Sequence, residues 1–82
     1  MNSNRSKYDN VFASVFEVDL TNVKDLKYQG VPEWDSVGHM SLMGELEDAF
    51  NITMLMEDII DFSSYEVGLV ILNKYDIIIE ND

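Results

Sequence analysis

The residues of this 82-residue chain that bear on chemistry are Asp35, Ser36 and His39, together with two carboxylate groups, Glu45, Glu47 and Asp48, then Glu57, Asp58 and Asp61. Ser36 and His39 lie three apart on what reads as one helix, which makes a Ser-His-Asp triad implausible. With no Cys and one His, inventory excludes disulfides, thiolate zinc sites, iron–sulfur clusters and cysteine nucleophiles. The acidic stretches lack the Asp-x-Asp-x-Asp-Gly alternation and the bidentate Glu that calcium needs, so no metal site is expected. A glycine-rich phosphate cradle is also missing. Paired carboxylates such as Glu57 and Asp58 could do acid–base work only in a pocket that perturbs them, and the pattern shows none. The expectation is a protein that is not itself an enzyme.

The elements that must position these residues follow the helical period. Tyr8, Val11, Phe12, Val15 and Phe16 fall at i, i+3, i+4, i+7, i+8, which predicts an amphipathic helix from about Asn4 to Glu17. Asp19 to Trp34, with Gly30 and the single proline Pro32, reads as a long connection with a helical turn at Val23 to Leu26. Asp35 is a favoured N-cap for a second helix with an apolar face of Val37, Met40, Met43, Leu46 and Phe50, and Asn51 suits its C-cap. A short third helix at Met56 to Asp61 would place Ile59, Ile60 and Phe62 inward. Ser63 and Glu66 read as the capping box of a fourth helix carrying Val67, Val70, Ile71 and Lys74, whose β-branched end at Ile77 to Ile79 frays or packs before Glu80. The expected fold is all-α: a small four-helix bundle, residues 1–82 as one domain, with three longer helices, a short third helix and a long first loop.

Charge narrows the partners. Sixteen acidic residues against five basic ones leave a net charge of −11, and no Lys or Arg occurs from Tyr28 through Asn73. Nucleic acid is therefore a poor partner, because a phosphate backbone is bound by cations that displace its counterions. The same field speeds encounter with basic protein surfaces, although a solvated acidic face kept for solubility would look alike. The apolar run Val67 to Leu72 is far shorter than the roughly 20 residues of a bilayer crossing, and the polar start Met1 to Asp9 does not read as a signal peptide. A cytoplasmic location is the expectation, in keeping with the absent Cys.

Pro32-Glu33-Trp34-Asp35-Ser36-Val37-Gly38-His39-Met40 resembles the modification site of acyl carrier proteins, where an Asp-Ser at the start of the second helix accepts 4'-phosphopantetheine on the Ser hydroxyl. The likeness continues without a gap to about Tyr75. Leu42, Leu46 and Phe50 match the family's apolar positions and Glu47 and Asp48 its acidic pair, with Ile52 in place. Glu57 and Asp58 match the acidic start of the third helix, and Ser64, Val67 and Leu72 fall suitably in the fourth. The resemblance covers about half the chain well. It implies a monomeric carrier holding acyl or aminoacyl groups as thioesters on a phosphopantetheine arm at Ser36, with Asp35 beside it. The implied partners are a phosphopantetheinyl transferase, an acyl- or aminoacyl-activating ligase, and downstream transferases or condensing enzymes with basic docking surfaces. Val37, Met40, Glu45, Glu47, Asp48, Glu57 and Asp58 would form the docking face, and Met43, Leu46, Met54, Ile59, Phe62 and Ile71 would line an acyl pocket.

Residue chemistry agrees, since a helix N-terminus such as that at Ser36 favours an attached phosphodiester through its free amides and dipole. Trp34 reads as a packing residue anchoring the loop, and His39 as a surface or packing residue within reach of the phosphate. The chain departs from the usual Asp-Ser-Leu-Asp-x-Val-Glu-Leu of fatty-acid carriers at Val37, Gly38, His39, Met40 and Ser41, and Gly44 replaces a large apolar residue. The Trp-Asp-Ser-x-x-His form is closer to free-standing specialised carriers. Bulky Ile59 and Phe62 point to a short or polar cargo, while Gly68 would open space. The competing reading is an unmodified acidic helical adaptor that binds a basic protein.

Overall fold

In the computed structural model, which describes residues 3–80, the helical elements are α1 (Asn4–Phe16), a 3₁₀ helix (Leu20–Asp25), α2 (Ser36–Phe50), α3 (Met56–Asp61) and α4 (Tyr65–Asn73). The expected all-α class is observed, with no strand among the described residues. Helix α1 starts where the Ser3 hydroxyl accepts the Ser6 N–H at 3.0 Å, and it ends at Glu17, whose left-handed backbone returns its N–H to the Ala13 carbonyl. Tyr8, Phe12 and Phe16 are fully buried, and Val11 and Val15 flank them half-buried. Phe12 is the hub, with its ring centroid 4.8 Å from that of Tyr8, 5.3 Å from Tyr65 and 5.7 Å from Trp34. Burying such a side chain contributes about 1.5–3 kcal/mol, so this aromatic cluster holds α1 against the rest.

The long connection is tied down rather than free. Its helical turn begins earlier than expected, at Leu20, and Val23 and Leu26 are its buried anchors. Leu26 accepts the Tyr65 N–H, Tyr28 donates its N–H to the Ser63 carbonyl, and Lys27 and Ser64 form an isolated antiparallel bridge. This loop therefore carries the start of α4, and Trp34, buried and stacked 4.9 Å from Phe16, delivers the chain to α2.

Three expectations about faces need correction. On α2 the buried residues are Leu42, Met43 and Leu46, whereas Val37 and Met40 are exposed, because the inward stripe runs through Gly38, His39, Leu42, Met43 and Leu46, with Gly38 against Phe16 and His39 against Trp34 and Phe62. On α3 Phe62 is buried just past the helix end but Ile60 faces solvent, and the residue that turns inward is Asp58. Helix α4 is capped by Ser64, whose hydroxyl accepts the Val67 N–H at 3.0 Å, so the Ser63/Glu66 box does not form. Its inward stripe is accordingly Tyr65, Gly68, Ile71 and Leu72, with Val70 exposed. The helix stops at Asn73. Ile77 then donates its N–H to the Leu72 carbonyl, and Glu80 reaches the start of α1, where its Oε1 accepts the Arg5 N–H at 2.7 Å. That hydrogen bond holds the Glu80 carboxyl below the usual range, a tail carboxylate serving the positive end of α1.

Candidate functional site

Ser36 is the first residue of α2 and is exposed. Asp35 is the N-cap, as expected, and its Oδ1 accepts the Gly38 N–H at 2.8 Å. The amides of Ser36 and Val37 precede the intrahelical bonds and are among those that a helix start leaves without backbone acceptors. Gly38 is dictated by sterics, since a Cβ there would stand 1.9 Å from the Glu33 carbonyl oxygen. The loop backbone crosses the helix at that point, which sets where Ser36 emerges.

His39 is a structural tie. Its Nδ1 accepts the indole N–H of Trp34 at 3.0 Å, and its Nε2 lies 2.7 Å from the Ile59 carbonyl oxygen. An indole nitrogen only donates, so Nδ1 is the bare nitrogen and Nε2 carries the hydrogen that Ile59 accepts. Both ring nitrogens are thus engaged, and neither is left to take a proton from Ser36. One imidazole joins the loop, α2 and α3.

Beside Ser36 lies an open cleft of about 350 Å³ between the start of α2 and α3. Its lining includes Ser36, His39 and Met40 from α2 and Met56, Ile59 and Ile60 from α3, completed by Tyr28, Phe62 and Ser63. The surface is apolar, and of its residues Met40, Met56 and Ile60 are exposed, the last pair at 72% each, as are Val37 and Leu55, their neighbours along the chain. An apolar patch of this kind on a chain of net charge −11 marks a binding surface better than a solubilising one.

The remaining candidates divide. Val37, Met40, Glu45, Asp48 and Glu57 are exposed on the α2 and α3 side of the molecule. Glu47 is half-buried and uses Oε2 to accept the Met54 N–H at 2.9 Å, so one of its oxygens closes the connection after α2. Asp58 does not belong to a docking face. It is buried, bonded to the Lys74 ammonium and to the Tyr75 hydroxyl, the latter at 2.5 Å, and these hold its carboxyl below the usual carboxylate range. Of the six pocket candidates only Ile59 and Phe62 line the cleft, because Met43, Leu46, Met54 and Ile71 are spent in the core. Gly68 opens no space either: a Cβ there would lie 2.2 Å from both the Phe62 ring and the Tyr8 hydroxyl.

Of the cleft residues, Tyr28 sits in a loop and Met56 at the start of a short helix, where neither type nor spacing marks them, and Ile60, expected inward, stands exposed at the cleft. The Asp58–Lys74–Tyr75 cluster escaped it because no local spacing links positions 16 and 17 residues apart. No cluster of His, Cys, Asp or Glu among the described residues is arranged to hold a metal ion, and no helix among them is long and apolar enough to cross a membrane. Against family models, curated proteins and solved structures, the chain has no match.

Proposed function

We propose that this protein is a free-standing carrier, modified on Ser36 with 4'-phosphopantetheine, that presents acyl or aminoacyl groups to partner enzymes. The observation that carries the proposal is the exposed Ser36 in the first turn of α2, lining an apolar cleft between two helices that also carry the exposed acids Glu45, Asp48 and Glu57. Resemblance of the Trp34-Asp35-Ser36 region and of the apolar and acidic positions after it to acyl carrier proteins supports the same reading, and the arrangement as a four-helix carrier bundle is part of it.

The residues fit the group. Ser36 is accessible to a transferase, its hydroxyl lies in a helix first turn whose free amides suit a phosphodiester, and Asp35 is occupied in capping so that it holds the turn in place. When attached, the arm supplies a terminal thiol and hence thioester chemistry, which a chain without Cys lacks. His39 and Trp34 hold the rigid end from which the arm swings, while Met40, Met56 and Ile60 offer it an apolar resting surface. Val37, Met40, Glu45, Asp48 and Glu57 would meet an apolar patch with a basic fringe on each partner, where charge complementarity sets encounter rate and register. The cleft is small and open and the core beneath it is filled, which favours a short cargo over a long chain sheltered inside.

Incubation with coenzyme A and a broad-specificity phosphopantetheinyl transferase tests the reading by intact mass, with Ser36→Ala as control. A folded protein that no transferase modifies would instead be the acidic adaptor.

A further inference from the structure

Helix α3 is held by polar pins more than by packing. Of residues 55–61 only Asp58 is buried and Ile59 is half-buried, while Leu55, Met56, Glu57, Ile60 and Asp61 are exposed. A six-residue helix without a side-chain N-cap is marginal by itself. Its ends are fixed, because Met54 is buried with its N–H on Glu47, and Phe62 is buried just before the Ser63–Tyr28 hydrogen bond. Between those ends the hold comes from three places. The Asp58 carboxylate meets Lys74 and Tyr75 at the end of α4, the Tyr75 hydroxyl accepts the Leu55 N–H at 2.8 Å, and His39 donates to the Ile59 carbonyl.

We infer that residues 55–61 form a lid over the cleft beside Ser36, hinged at Met54 and Phe62 and latched by Asp58 on Lys74 and Tyr75. With the latch released, the His39–Ile59 hydrogen bond is the remaining side-chain hold, and when it opens Met56, Ile59 and Ile60 swing away from Ser36, His39 and Met40, which widens the cleft without disturbing the aromatic core of α1. Lys74 is the exposed half of the ion pair, its side chain 58% accessible, so an approaching protein carboxylate or high salt can compete for it. The latch thus lets a partner that touches the end of α4 alter access to a cleft that Lys74 and Tyr75 do not line. The lid regulates the cleft of the proposed carrier but rests on hydrogen bonds and burial alone, and its test involves no group on Ser36.

Residue-resolved amide hydrogen exchange on the unmodified protein provides that test. In the wild type the amides of Asp58 to Asp61 should exchange well ahead of those in the middle of α1, through a local opening. Lys74→Gln, a mild change at an exposed side chain, should speed exchange in α3 by about tenfold and leave α1 amides such as that of Phe12 unchanged. Tyr75→Phe, which removes a donor to Asp58 and the acceptor of the Leu55 N–H, should do the same. Exchange in α3 that is unaffected by both variants, or that accelerates only in step with α1, would overturn the lid. A modified Ser36 with such a result would leave the carrier and remove the latch.

Discussion

Nδ1 of His39 lies 3.0 Å from the indole nitrogen of Trp34, and that contact fixes which side of the imidazole faces Ile59. Replacing His39 with Ala leaves a buried indole N–H and the Ile59 carbonyl without partners. Trp34 is fully buried, and an unmade buried hydrogen bond costs about 1–3 kcal/mol, whereas the Ile59 carbonyl stands at an open cleft where water can replace the imidazole, so denaturant unfolding should show a loss of about 1–3 kcal/mol. A change within about 0.5 kcal/mol, the usual bound for a plain surface position, would mean that the tie contributes little.

The glycines separate by what surrounds them. Gly44 has nothing within 4 Å of a Cβ, and Gly44→Ala should stabilise α2 by up to about 1 kcal/mol, the helix-propensity difference. Gly68→Ala carries the same propensity gain, but its methyl meets Phe62 and displaces the Tyr8 hydroxyl from the Tyr65 carbonyl, 2.6 Å away. Overpacking of that kind costs about 1–3 kcal/mol or more, so the sign reverses. Thermal melts of the two variants check the contrast, and a stabilised Gly68→Ala would refute the packing described for that helix crossing.

Acidification should weaken the Asp58 contribution. Bonding by Lys74 and then Tyr75 lowers the Asp58 pKa on folding, so the unfolded chain binds that proton more tightly. The contribution is whole above the ordinary aspartate range and is lost as pH falls through the depressed value. Lys74 runs the other way. Its pKa is raised by Asp58, so its share is whole below the ordinary lysine value and is lost as pH rises through the raised one. Lys74 and Tyr75 face the carboxylate directly, and Glu57 acts on Lys74 through space. Relief of repulsion among the other carboxylates also follows acidification, but it largely cancels between wild type and Asp58→Asn. The stability gap between those two proteins should therefore narrow as pH falls below 4, roughly the ordinary aspartate value, and a gap independent of pH would be inconsistent with the cluster.

Charge on α2 should control encounter with the transferase. Glu45→Lys with Asp48→Lys should slow modification of Ser36 by about tenfold and flatten its dependence on salt. Glu47→Ala should instead act on stability, costing about 1 kcal/mol through the freed Met54 N–H. Kinetics unchanged by the double reversal would take this face out of the interface.

Periodicity made the helices legible, because Tyr8, Phe12 and Phe16 or Leu42 and Leu46 repeat at the spacing of one face. The caps Asp35 and Asn51 could be read from residue type alone. Ser63 and Ser64 could not be separated that way, since either hydroxyl can start the helix and the choice follows from Tyr28 and Leu26 holding Ser63 and Tyr65 by their backbones. The site was legible at Ser36 and Asp35 but not in its walls. Asp58 looks like its neighbour Glu57 until Lys74 and Tyr75 fold beside it, and Met43 and Met40 look alike until the core claims only the first.

The most direct measurement is the mass of the folded protein and of its Ser36 peptide after treatment with coenzyme A and a phosphopantetheinyl transferase. The carrier reading predicts one phosphopantetheinyl group, located on Ser36 and absent from Ser36→Ala. An unmodified Ser36 in a protein shown to be folded, with several transferases each active on a control carrier, would contradict it.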